Sequence, residues 1–441
     1  MDILFLKVQF VFLLFLYLFA FYKLIKQGFS FSLGFIYGIL YFIFIPLIVF
    51  VFTNEVEISK IDFWETNIID IELRKNFSAS LLLIGYLYSF LVYYFLSEFL
   101  FIRKKHQKIN LYKPVSLNLL LFLWVALLVF SVVLSGALSE GGHWYKSRHL
   151  FQEESGMFGT LVLFLFQAIK LMLIARLIFM FRDKEIKYWR FGIISIFFIG
   201  VDIFFTGNRI FAFILLAGIS IVILQRYRLR SLFFGVLVIP FGYLMSVYQR
   251  IRGQLFVKGI PSISDTLEII KDTVRNHPPQ ITEFLLGISE SVNFNVLYMI
   301  FNSVTPNNML LGETFAKLFT YFIPRSFWKD KPLSITQVAG EWFAPQAEHL
   351  SLVTTLIGEL HMNFSLLGIL IFPLILFCLR YIGYYLSRDN NITSVILFLF
   401  GILFFRMSFS DVFLVLLFVV VISSLIKLVT LVNNVFWQRK Y

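Results

Sequence analysis

The fold class this sequence predicts is an all-α, polytopic integral membrane protein: a single helical domain over residues 1–441, with about eleven spans and a large structured extracytoplasmic loop over 250–362. Three observations carry that expectation. Of the 441 residues 59% are hydrophobic and 19% aromatic, and the mean hydropathy is +0.83, outside the range of an ordinary soluble domain. The apolar residues come in runs of roughly 20, the length that crosses a hydrocarbon core about 30 Å thick. These runs stay apolar throughout, which excludes a single-chain β-barrel, whose strands would alternate polar and apolar residues. Third, the basic residues gather at the loops of one side.

Taken in order, the runs fall at about 3–22, 31–53, 77–101, 117–136, 158–180, 191–206, 210–225, 232–249, 363–386, 392–409 and 412–432. The first carries Lys7 and Gln9 and lacks a small-residue cleavage site at its end, so it reads as a retained helix rather than a signal peptide. The single cysteine, Cys378, lies in an apolar run. No internal disulfide can form, and the thiol reads as a small buried hydrophobe.

Lys and Arg concentrate in loops that stay cytoplasmic. The segments 103–113 (RKKHQKINLYK) and 182–190 (RDKEIKYWR), the group Arg226, Arg228 and Arg230, and the tail residues Arg439 and Lys440 all fall on one side of this layout. That side is expected to be the cytoplasm, with the N-terminus outside and the C-terminus inside. The opposite side receives the acidic 54–76 loop, the 137–157 loop and the long segment 250–362. The formal net charge of +12 is therefore mostly a topology signal, not a sign of nucleic-acid binding.

The long outer segment is not a disordered linker. Its stretches 284–304 and 310–323 carry apolar residues at helical spacing, broken by Glu290, Asn293, Asn295, Glu313 and Lys317. They read as helices lying in the interface or packed over the bundle. Its charges nearly balance, nine Lys or Arg against ten Asp or Glu, as expected of a substrate site rather than a solvated tail.

Ionisable residues near membrane depth are expensive and mark functional sites by default. Arg209 lies in FFTGNRIFAF, 204–213, where Gly207 and Asn208 are almost the whole turn between two spans. Arg250 and Arg252, in YQRIRGQ, and Arg406 are expected at the same outer level. Four guanidiniums on one face suit a phosphate-bearing substrate, because each presents a planar fork of donors and stays charged. Lys170, Arg176 and Arg380 lie deeper and read as snorkelling or structurally paired, with Glu98 and Asp202 as candidate partners.

The stretch YFIPRSFWKDKP, 321–332, adds Arg325, Lys329 and Lys331 to the outer side. Pro324 and Pro332 exclude a regular helix interior, and Phe327 and Trp328 suit the membrane interface. Just before the chain re-enters the membrane come Glu341, Glu348, His349, Glu359 and His361. Carboxylates and histidines beside a cationic pocket are what a glycosyl transfer requires, since the attacking hydroxyl benefits from a general base. Their spacing fits no metal motif, and no metal is expected.

A polytopic chain with TGNR opening a span, an outer RIRG, then IPRSFWKDKP and GELHMNFSLLG resembles the bacterial O-antigen polymerases of the Wzy type. The resemblance covers about 200–370. Arg209, Arg325, Lys331, Pro332, Gly358, Glu359, Asn363 and Phe364 match the family pattern, whereas His361 stands where an aromatic residue is frequent and Ser365 where glycine is common.

The resemblance implies a polymerase in the bacterial inner (plasma) membrane, active on the periplasmic face. It would transfer the growing glycan from undecaprenyl diphosphate to the non-reducing end of an incoming lipid-linked repeat unit. Its partners would be undecaprenyl-diphosphate-linked oligosaccharide, membrane lipid and a chain-length regulator protein, with no nucleic acid and no cofactor. Arg209, Arg250, Arg252 and Arg325 would hold the diphosphate, with Lys331 and Arg406 beside them, and His349 or Glu359 would take the proton. An O-antigen ligase shares these features. A lipid-linked sugar transporter would instead show repeated halves and charges at the midplane.

Overall fold

The computed structural model describes residues 2–53, 55–56, 71–72, 76–101, 115–134, 156–206, 209–227, 292–321, 323, 327–328, 331–343, 345, 351–387 and 391–438, with the single positions 264, 268, 271–272, 275 and 285. Helices dominate these residues. They are α1 (Asp2–Gln27), α2 (Phe31–Ile39), α3 (Ile45–Thr53), α4 (Phe77–Phe101), α5 (Leu117–Leu134), α6 (Gly156–Arg182), α7 (Tyr188–Thr206), α8 (Ile210–Tyr227), α9 (Val292–Ser303), α10 (Glu313–Thr320), α11 (Ile335–Phe343), α12 (Thr355–Phe364), α13 (Leu367–Ser387), α14 (Asn391–Leu403) and α15 (Phe409–Gln438). A two-residue antiparallel pair, β1 (Glu55–Val56) with β2 (Ile71–Glu72), sits between α3 and α4.

Among the described residues, six segments are long and apolar enough to cross a membrane: Ile3–Gln27, Phe31–Thr53, Phe77–Leu100, Leu161–Arg182, Ile210–Tyr227 and Phe409–Ile426. The chain is therefore a helical, multi-pass membrane protein. Leu117–Val133, Leu367–Gly383 and Ile392–Leu403 are apolar but shorter. The expected span at 232–249 lies outside the described residues.

Local chemistry explains the joints. Gly28, with φ of 105°, reverses the chain after α1, and Ser30 caps α2 by accepting the Leu33 amide at 3.2 Å. Between α2 and α3 the helix widens into a π turn, Leu40–Phe44. Pro46 lies just beyond; it has no N–H to give and its ring crowds the carbonyl four residues earlier, which the wider turn accommodates.

The core is built on aromatic contacts between α1, α2, α4 and the end of α14. Phe35 stacks on Phe90 at 5.3 Å and meets Phe405 at 4.8 Å, while Tyr17 stacks on Phe90 at 5.6 Å. Two glycines let α2 and α14 touch through their backbones. A Cβ on Gly34 would sit 1.9 Å from the Phe398 carbonyl oxygen, and one on Gly401 would sit 2.5 Å from that of Phe31. Small residues at such crossings are how membrane helices gain packing without a hydrophobic drive between them.

Three expectations change in the structure. The ninth span, placed at 363–386, begins instead at Leu367, because Ser365 takes φ of 47° and ψ of −130° and separates α12 from α13. Helix α9, expected in the interface or over the bundle, is packed into it, with Phe294 edge-on to Phe50 at 6.0 Å and Phe301 stacked on Tyr86 at 5.8 Å. Cys378 is exposed, because Phe372, Leu376 and Leu379 take the buried face of α13.

The deeper charges are paired. Lys170 forms an ion pair with Asp202, the two side chains 3% and 1% exposed, and its ammonium lies over the rings of Phe166 and Phe211 at 4.2 and 4.6 Å. Arg380 meets Glu98 at 3.2 Å, and the same carboxylate accepts from Gln27 at 2.8 Å. Arg176 instead pairs with Glu185 at 3.0 Å.

Candidate functional site

The richest buried polar cluster among the described residues lies where α10, α12 and the start of α15 meet. Glu359, on α12, is fully buried. Its Oε1 accepts the Thr314 hydroxyl at 3.1 Å, and its Oε2 accepts the Phe409 amide at 2.7 Å. One carboxylate thus ties α10 and the first residue of α15 to α12, and hydrogen bonds to a charged acceptor are each worth about 1.5–3 kcal/mol. The same helix start is closed by Ser408, whose Oγ accepts the Asp411 amide at 3.2 Å.

Asn363 completes the cluster one turn on. Its Nδ2 donates to Thr314 Oγ1 at 2.8 Å and to the Glu359 carbonyl at 2.7 Å, while its Oδ1 accepts the Gly312 amide at 3.1 Å. Gly312, with φ of 90°, starts α10 in a conformation that side chains avoid. Burial raises the Glu359 carboxyl from 4.5 to about 7; the hydrogen bonds from Phe409 and Thr314 hold it lower, Asp411 repels it and Lys317 attracts it.

His361 lies on another side of α12. It is 1% exposed, edge-on to Phe301 at 4.9 Å and to Tyr86 at 6.1 Å. Burial lowers the imidazole from 6.5 to about 4, with the Ser365 backbone opposing, so the ring is neutral near pH 7. The site accepts a flat ring among rings, which is why an aromatic residue would fit there.

Of the sequence-derived site residues, Glu359 lies in this cluster, while Arg406 lies on a neighbouring turn. Arg406 is half-buried in the turn between α14 and α15, and that turn meets α12 through the Leu356 amide and the Phe404 carbonyl at 2.9 Å. Lys331 stands elsewhere: its ammonium donates to the carbonyls of Tyr321 and Ile323 at 2.7 and 2.9 Å, closing the C-terminal end of α10. Arg209 is half-buried before α8, two residues from the Phe211 ring that covers Lys170. Arg250, Arg252, Arg325 and His349 lie outside the described residues. Thr314 and the helix start at Ser408 escaped the sequence reading; the only signal was Ser408 three residues ahead of Asp411, a capping spacing.

Fold and cluster together define a multi-pass helical membrane protein that buries a hydrogen-bonded carboxyl group within its bundle. No family model matches the chain, and no curated protein and no solved structure matches it either.

Proposed function

We propose that the protein is a membrane glycosyltransferase that polymerises polyprenyl-diphosphate-linked oligosaccharides on the periplasmic face of the bacterial inner membrane. The observation that carries this reading is Glu359: a buried carboxyl group raised to about 7, on the residues GELHMNF that match the O-antigen polymerase pattern. A base is most effective when its pKa lies near the working pH. Each Glu359 oxygen accepts one hydrogen bond and keeps a second acceptor position.

In the proposed step, the acceptor sugar hydroxyl loses its proton to Glu359, or to His349, while its oxygen bonds the anomeric carbon of the donor. The bond from that carbon to the diphosphate oxygen breaks, and undecaprenyl diphosphate leaves with the electron pair. Arg209, Arg250, Arg252, Arg325 and Arg406 would stabilise the developing charge, each guanidinium acting as a fixed double donor. Lys331 would stand beside them as the weaker candidate, since two of its three ammonium protons already close the end of α10.

The test is purified protein in nanodiscs supplied with synthetic undecaprenyl-diphosphate repeat units. A ladder of products is expected. A single transfer onto lipid A core and no ladder would mean a ligase. Wild-type ladder formation by a properly inserted Arg325→Ala variant would remove Arg325 from the site.

A further inference from the structure

We infer that the C-terminal end of α10 is seated in lipid, resting in the headgroup boundary of the leaflet opposite the Arg182 end of the bundle, with Phe319, Ile323, Phe327 and Trp328 in contact with phospholipid. The inference does not depend on the enzymatic reading.

Depth supports it first. At one end of α6, the carbonyl of Arg182 accepts from the Arg226 guanidinium, and Gln225 donates to the Ile25 carbonyl at 3.1 Å. This ties the ends of α1, α6 and α8 to one level. At 1.5 Å per residue, Phe164 stands about 27 Å along α6 from Arg182, close to the far boundary of a hydrocarbon core about 30 Å thick. The Tyr321 ring meets Phe164 edge-on at 5.2 Å. The C-terminal end of α10 therefore reaches that boundary, while Thr314 near its start is bonded to buried Glu359.

Composition and exposure support it second. Around Tyr321 the chain shows large apolar side chains outward: Phe319 is 82% exposed, Phe327 86%, and Ile323 and Trp328 39% each. The inward positions of the same helix are taken, Phe315 lying 5.0 Å from Phe409 and Tyr321 lying against Phe164. Apolar residues bared at this level, with a tryptophan among them, suit the acyl–headgroup boundary.

The cations fit the same occupant. Lys317 and Lys331 both stand over the Tyr321 ring, at 5.7 and 5.3 Å, at the level where lipid phosphates lie. Lys331 also satisfies the Tyr321 and Ile323 carbonyls, and its amide donates to the Trp328 carbonyl at 3.3 Å. Backbone carbonyls beside lipid need such internal partners, because water is scarce there.

The test uses the full chain with Cys378→Ser in phosphatidylethanolamine–phosphatidylglycerol nanodiscs. Spin labels are placed singly at Phe319→Cys, at Phe327→Cys and, as a water-exposed reference, at Lys184→Cys. The ratio of collisional accessibility to oxygen over a water-soluble nickel chelate is expected to be about five-fold higher at 319 and 327 than at 184. Nickel access equal to the reference at both sites would overturn the inference and point to a soluble partner or bare water. Should the labelled variants not fold, chain-brominated lipids applied to native protein and to Trp328→Phe settle the same point. The expected result is a loss of quenching with Trp328→Phe, and equal quenching of the two would count against a lipid seat.

Discussion

Lys170 and Asp202 show how much a single residue pair carries in this bundle. Leaving either charge alone in the interior costs about 3–5 kcal/mol, whereas replacing both with apolar residues is often neutral or stabilising. Asp202→Asn and Lys170→Met are each expected to lower the thermal midpoint sharply in detergent, and Lys170→Met with Asp202→Leu to recover most of it. Glu359 and His361 make an opposed pair with pH. The Glu359 carboxyl is raised from 4.5 to about 7, so the folded state binds more protons over that window and its contribution falls as pH rises through it, by about 3 kcal/mol at 1.36 kcal/mol per unit. The His361 ring is lowered from 6.5 to about 4, so its contribution grows with pH over nearly the same window. Wild type should therefore be nearly flat between pH 5 and 6.5. Glu359→Gln should become more stable as pH rises and His361→Phe less, both read from thermal midpoints at pH 5 and 6.5. The ion-pair partners at Asp202 and Glu98 were legible in the sequence because an intramembrane charge demands a counter-charge. The role of Lys331 was not, since its partners are backbone carbonyls that converge only after the chain reverses.

Element by element, the helices follow the apolar runs, because length and hydropathy alone decide where a backbone must satisfy itself. What periodicity cannot register is where a run is broken inside apolar sequence. Ser365 is such a break. Its φ of 47° with ψ of −130° is a conformation that glycine adopts freely and serine does not, and glycine is the residue the polymerase pattern implies there. Ser365→Gly is expected to stabilise the protein by about 1 kcal/mol, a rise of a few degrees in the thermal midpoint; a fall would show that the turn is not strained. The crossing of α2 and α14 works the other way. Gly34→Ala and Gly401→Ala must push backbone against backbone and should reduce the yield of folded protein, while Gly192→Ala and Gly200→Ala, with nothing within 4 Å of the added carbon, should be silent. The short helices α9 and α10 were visible as helical patterns, and α12 was not. The place of α9 and α12 inside the bundle was not legible, because their buried Asn293, Asn295, Glu359 and Asn363 read as polar until their partners are seen.

For the whole molecule, the membrane class follows from composition, whereas the function rests on a handful of residues in one segment. Glu359→Gln keeps the size and one acceptor oxygen for the Phe409 amide, turns the contact with Thr314 into a donor, and removes the proposed base, so it is expected to lower ladder formation by about 10²- to 10⁴-fold while the protein still inserts and folds. Loss of activity with loss of folding would leave Glu359 as a clasp between α10, α12 and α15 and nothing more. The arginines of the proposed set, Arg209, Arg250, Arg252, Arg325 and Arg406, were each expected on one face from the sequence. The assembled site was not legible, because Arg250, Arg252 and Arg325 are spread over 75 residues of outer segment and no periodicity fixes how that segment folds.

The pairing of Lys170 with Asp202 also bears on how the chain is made. As α6 leaves the ribosome it carries a lysine near its middle, which costs about 2.5–3.5 kcal/mol on an insertion scale. The counter-charge arrives only with α7, after the short connection at 183–187. Helix α6 has reason to linger at the translocon until α7 joins it, so that the two enter the bilayer as one hairpin. Biogenesis, rather than the finished fold, is then where the loss of Asp202 would first be felt.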